Sequence, residues 1–145
     1  SERHSFHLGI VGYIADVPPN GGGFAVWPGS HRHFHPCYHS RHLDDRTEAY
    51  PRVSDQVNRG TVPVTTFGSA GDVIFWHHRL GHNVSTNWSS QIRQSVMCEF
   101  AKVDLEQTAG LPTSDDMWCD WSEELRSLAA QLGQGGCAVR SQHDP

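Results

Sequence analysis

Residues 91–101, QIRQSVMCEFA, put Ile92, Val96, Cys98 and Phe100 at even positions and Arg93, Ser95, Met97 and Glu99 at odd ones. Side chains alternate across a strand, so this pattern fits a β-strand with two chemically different faces and fits no helix. Similar strand-length segments recur upstream. HLGIVGYIADV (7–17), FAVWPGS (24–30), TVPVTTF (61–67) and DVIFWHH (72–78) are apolar or β-branched and short. Glycine and proline punctuate them, in PPNGGG (18–23), in the Pro28-Gly29 pair and in GSAG (68–71). Proline presets φ for a turn and glycine supplies positive φ. With 14 glycines and 8 prolines in 145 residues, the chain favours an all-β domain over a helical bundle.

Two regions break the rhythm. Residues 31–60 are polar and show no period, which predicts a long excursion from the sheet. It opens on HRHFHPCYHSRHLD (31–44), with five histidines, one cysteine and two arginines. This stretch reads as a mobile loop near a pocket mouth. The C-terminal third carries Met117, Trp118, Trp121, Leu125, Leu128 and Leu132 at helical spacing, behind a start signal at Thr113 or Ser114 and ahead of Gly133. One amphipathic helix over 114–132 is expected, covering the outside of a sheet, then a flexible tail over 133–145. No internal repeat or boundary divides the chain, so a single domain over 1–145 is expected, with its core at 7–101.

The net charge of −5 and pI near 6.1 argue against a nucleic-acid or membrane surface. No run of eighteen apolar residues and no leader pattern is present. The four cysteines, at 37, 98, 119 and 137, have no metal-finger spacing and read as free thiols of an intracellular, cytoplasmic protein.

Chemistry concentrates in GDVIFWHHRLGHNVSTNWSSQIRQS (71–95). His82 lies past a strand end, and Arg93 follows eleven residues later in the next strand. The two could converge on one pocket. Non-haem Fe(II) sites use two histidines and a carboxylate on one face and leave positions open for a keto acid and O2. The far carboxylate of such a co-substrate suits an always-charged, fork-shaped arginine. Ser95 points the same way as Arg93 and could add a hydroxyl.

NGGGFAVWPGSH, GDVIFWHHRLGH, Asn87 and IRQSV, in this order and spacing, strongly resemble the phytanoyl-CoA dioxygenase (PhyH-like) family of Fe(II)/2-oxoglutarate oxygenases. The resemblance covers about residues 7–101. It implies a double-stranded β-helix, or jelly roll, with cupin-like architecture and one C-terminal helix. It implies a dioxygenase that hydroxylates a small organic substrate, with Fe(II) as metal, 2-oxoglutarate as co-substrate and O2 as oxidant. His82 matches the distal iron ligand and Arg93 the arginine for the 2-oxoglutarate carboxylate. Tyr13, on the first strand, lies near where the family contributes to the co-substrate pocket. Asn87 matches a motif asparagine expected to shape its loop.

The family's proximal His-x-Asp precedes the strand at 7–17, and the chain starts too late to contain it, as a truncated domain would. His42-Leu43-Asp44 has the right i, i+2 spacing but stands in a loop and after the Pro-Gly-Ser-His, so it is an alternative pair only. His4 and His7 lack a carboxylate at the needed spacing. His77 and His78 should point to opposite faces. His31 could carry a structural hydrogen bond at the end of its turn. The other reading is a non-catalytic cupin-like binding module or a metal-binding fragment.

Overall fold

A computed structural model describes residues 8–42, 44–119 and 121–134. The chain divides into two compact units, one running to Thr113 and one from Ser114. The first holds β1 (Leu8–Tyr13), β2 (Phe24–Val26), α1 (Ser30–Phe34), α2 (Tyr50–Gly60), β3 (Val64–Thr65), β4 (Val73–His77), β5 (His82–Val84), β6 (Ser95–Phe100) and α3 (Leu105–Thr108). The second holds α4 (Glu123–Gln134).

The strands make two antiparallel three-stranded sheets, ordered β4-β1-β6 and β3-β2-β5. In the first, Gly9 stands opposite Trp76 and Val11 opposite Ile74 and Met97. Directly opposed residues share a face, so the indole of Trp76 lies over Gly9, where a Cβ would collide with the ring. On that face Val11, Tyr13 and Trp76 are buried, and with Val17 and Phe24 they form the main core. Phe24, from the second sheet, meets Trp76 at 4.8 Å between ring centroids. Tyr13 fastens the sheets too: its hydroxyl lies 2.7 Å from Thr66 Oγ1 and accepts the Phe24 N–H at 3.2 Å. The other face carries Val73, Phe75, Val96 and Phe100, each at least 50% exposed, so the even-numbered apolar positions of β6 stay outside the core.

The strands are shorter than the sequence predicts. The segment at 61–67 pairs only at Val64 and Thr65, because Pro63 has no N–H to give a ladder. β6 begins at Ser95, which leaves Ile92 84% exposed and Arg93 just ahead of the strand.

Residues 31–60 are the largest departure. The histidine-rich stretch is an ordered element with a core of its own, contrary to its reading as a mobile loop. α1 is followed by a 3-10 turn over His35–Cys37, and Phe34, Cys37 and Tyr38 are buried against Val57 of α2. α2 was hidden because only Tyr50, Val53 and Val57 of its eleven residues carry the apolar face, spaced three and four apart. A structural bond at the turn comes from Ser30: its fully buried hydroxyl accepts the Gly81 N–H at 2.8 Å.

In the second unit the expected helix over 114–132 starts later, at Glu123. Ser114 and Asp116 cap turns instead: Ser114 Oγ accepts from Asp116 N–H and Asp116 Oδ1 from Trp118 N–H. Ser122 begins the helix, its carbonyl accepting from Arg126 N–H, and Arg126 pairs with Asp116 at 2.7 Å. Trp118 and Trp121 therefore precede the helix and pack edge to face at 5.4 Å. Cys37, Cys98 and Cys119 are free, while Cys137, His4, His7 and the tail beyond 134 lie outside the described residues. Among the described residues no helix is long and apolar enough to cross a membrane.

Ser30→Ala strands the Gly81 N–H in the interior, and a urea titration is expected to show a loss of about 1–3 kcal/mol. The half-buried His31 gives a second test. Burial first, then the positive charge of Arg32, lowers its pKa from 6.5 to about 4. Between these values the unfolded chain holds a proton that the folded chain refuses, so stability falls as pH drops through that window and levels off below it. His31→Gln should lose less stability than the parent between pH 6.5 and 4, measured by the urea midpoint; equal losses would contradict the buried, neutral imidazole.

Candidate functional site

His82 opens β5 and pairs across the ladder with Val26. The sequence places it past a strand end; here it is the first residue of a three-residue strand. Its ring packs at 5.4 Å from both Phe24 and Trp76, so the main core forms the floor beneath it. Its Nδ1 lies 2.8 Å from the Leu80 carbonyl. A carbonyl only accepts, so Nδ1 carries the hydrogen, and in the neutral ring that leaves the lone pair on Nε2. This is the tautomer and the outer contact that metal-bound histidines use.

Arg93 is half-buried and donates from Nη1 to the Gly22 carbonyl at 2.9 Å. Ser95 stands opposite Tyr13 in the β1–β6 register, so the two share the inner face. Tyr13 and Arg93 thus converge on one backbone stretch: Arg93 bonds Gly22, and the Tyr13 hydroxyl takes the N–H of Phe24. Gly22 has φ 75, and a Cβ at Gly23 would run into the Thr66 carbonyl, which explains why NGGG precedes β2. The Tyr13 hydroxyl is committed to Thr66 and Phe24 and serves here as a strut between the sheets. Asn87 shapes its loop as expected: it donates to the Gln91 carbonyl at 2.7 Å and accepts from Ser89 N–H and Oγ.

His42 and Asp44 lie on a bend and a turn, not on a strand, and the Asp44 N–H points to His42 Nδ1 at 3.2 Å. Among the described residues no three histidine, cysteine, aspartate or glutamate side chains come together as a metal cage. Arg93 and Tyr13 thus meet the 22–24 backbone, with Ser95 opposite Tyr13, and the His82 ring packs on Phe24.

Beside His82 opens a cavity of about 410 Å³. Its walls come from the 31–60 segment (Phe34, Tyr38, Arg46, Tyr50) and from the β4–β5 connection (His78 to Asn83). His77 and His78 do not diverge as alternation predicts. β4 ends at His77, and their rings stack at 4.3 Å. Only His78 lines the cavity. Arg79 is 4% exposed; it lies over the Tyr38 ring at 4.3 Å and donates to the carbonyls of His35 and Ser40. Sequence reasoning missed Arg79, Tyr38 and Tyr50. Their only signal was aromatic residues at 38 and 50 inside a polar segment, which pointed to a packed element there.

The sequence profile described as Phytanoyl-CoA dioxygenase (PhyH) matches residues 2–95. The crystal structure of AviO1 from Streptomyces viridochromogenes Tue57 is similar with a TM-score of 0.51 at 22% identity, over 78% of this chain and 44% of that one. The crystal structure of EvdMO1 is similar with a TM-score of 0.50 at 24% identity, over 68% of this chain and 20% of that one. The chain thus spans less than half the length of either, and the likeness is one of fold. No curated protein matches it. The profile takes in the Gly-rich turn, His82 and Arg93 and most of the chain, and on that ground the chain belongs to the phytanoyl-CoA dioxygenase (PhyH) family.

Proposed function

We propose that this chain carries part of the centre of an Fe(II)/2-oxoglutarate-dependent dioxygenase acting on a small organic molecule. The observation that carries this is the His82 imidazole, whose Nδ1–H is fixed on the Leu80 carbonyl so that Nε2 is presented as a ligand. In this reading the two antiparallel sheets, joined through Phe24, Trp76 and Tyr13, are facing parts of a double-stranded β-helix.

The residues fit the group in part. His82 would hold iron through Nε2. Arg93 would bind the far carboxylate of 2-oxoglutarate: one nitrogen is spent on Gly22, and the rest of the fork is uncommitted among the described residues. Ser95 would add a hydroxyl hydrogen bond, and Tyr13 would frame the pocket from the neighbouring strand. A complete centre needs two more protein ligands, which the described residues do not group with His82. His42 and Asp44 are the pair to examine within the chain. Iron and 2-oxoglutarate, when bound, supply with O2 the oxidation of an unactivated bond; the protein's own part is to position the substrate and exclude water.

The test is an anaerobic titration of the natural full-length polypeptide with Fe(II) and 2-oxoglutarate, following the visible charge-transfer band of the chelate. His82→Ala should abolish the band. Arg93→Ala should raise the 2-oxoglutarate needed by about tenfold or more, the loss expected for a charge-assisted pair, while iron binding persists. An unchanged co-substrate requirement would remove Arg93 from this role. No band with His82 intact would favour the non-catalytic, cupin-like binding module.

A further inference from the structure

The cavity beside His82 is built differently on its two sides. One side is the β4–β5 connection with His82. The other is the folded 31–60 segment, where Phe34, Tyr38 and Tyr50 supply aromatic surface and Trp27 closes the wall. Phe34 and Tyr50 stack at 5.2 Å, and Tyr38 meets Tyr50 edge on at 5.9 Å. These contacts fix the rings in place before any ligand arrives. Arg46 stands on this wall with its guanidinium 4.3 Å from the Tyr50 ring centroid. No carboxylate pairs with Arg46 among the described residues, and no aspartate or glutamate lines the cavity. That is notable in a chain of net charge −5. Arg93, Ser95 and Tyr13 do not line it either, so this space is separate from the region assigned to 2-oxoglutarate.

An arginine held flat on an aromatic ring keeps its fork edge free for a planar or tetrahedral anion. Aromatic walls of this kind take a flat apolar body. We infer that this cavity is the substrate pocket, and that the substrate is a compact molecule with a flat apolar body and an anionic group, a carboxylate or a phosphate, read by Arg46. This rests on the oxygenase reading for its direction: the body lies between the anion at Arg46 and the reacting end at His82. A cavity of about 410 Å³ is of the size that encloses a small organic molecule.

Phenyl phosphate is the probe, and phenol its neutral counterpart. Both are titrated into the 15N-labelled protein without iron, following the Arg46 Nε–H and Trp27 Nε1–H resonances. Phenyl phosphate is expected to bind about tenfold more tightly than phenol, an advantage of the size one charge-assisted contact gives. Arg46→Gln should erase that advantage and leave the thermal midpoint unchanged, since the side chain is exposed. Arg46→Lys should restore part of it, and Arg93→Ala should leave the titration as it was. Equal binding of the two probes, an Arg46→Gln titration like the parent's, or shifts centred on Arg93 would overturn the inference. The ferrous 2-oxoglutarate band reports separately. A band without Arg46-dependent binding refutes the pocket alone, and Arg46-dependent binding without a band refutes the oxygenase reading alone.

Discussion

Arg79 is the interaction on which the functional region depends. A guanidinium buried to 4% exposure needs hydrogen-bond acceptors in the interior for its terminal nitrogens. Here it reaches backbone carbonyls at His35 and Ser40, and its flat face lies on Tyr38. Those contacts tie the 31–60 segment to the connection that ends, three residues later, in His82. Ser30 adds a second tie to the same connection through Gly81. Lysine could not replace Arg79, because one ammonium cannot span two separate carbonyls and also stack. The orientation of His82 through the Leu80 carbonyl is therefore set by a segment more than forty residues earlier in the chain.

The two cores divide the work. The main core, centred on Phe24 and Trp76, holds the sheets together and gives His82 its floor. The smaller core of Phe34, Cys37, Tyr38 and Val57 holds the aromatic wall across the cavity. Tyr38 belongs to both wall and core, and burial raises its phenol above the ordinary value, so it stays neutral beside Arg79 and Arg46. The cavity is cationic on a protein that is anionic as a whole, and such local inversion of charge is how a pocket selects ligands of one sign.

Much of the sheet structure was legible from the sequence. Strict alternation identified β6, and the glycine–proline turns separated β1, β2 and β4. The tight requirements at Gly9 and at 22–23 were invisible, because a glycine reads only as a turn until its neighbour across the sheet is known. Three misreadings share one cause. α2 shows its apolar face at only three of eleven positions, the histidine-rich stretch hides Phe34, Cys37 and Tyr38 among charges, and Ser114 with Asp116 resembles a helix start while capping turns. In each case a local pattern was ambiguous and long-range packing chose between its readings.

The sequence by itself determined the family and the strand-rich class and singled out His82 and Arg93 as candidates, because these rest on residue types at fixed spacing along one chain. Only the tertiary structure decided which nitrogen of His82 is presented, that Arg93 leans on Gly22, and that Arg46 and Tyr50 face His82 across a cavity. Tautomers, hydrogen-bond partners and cavities are properties of atoms brought together from distant parts of the chain, and spacing along the chain carries no record of them.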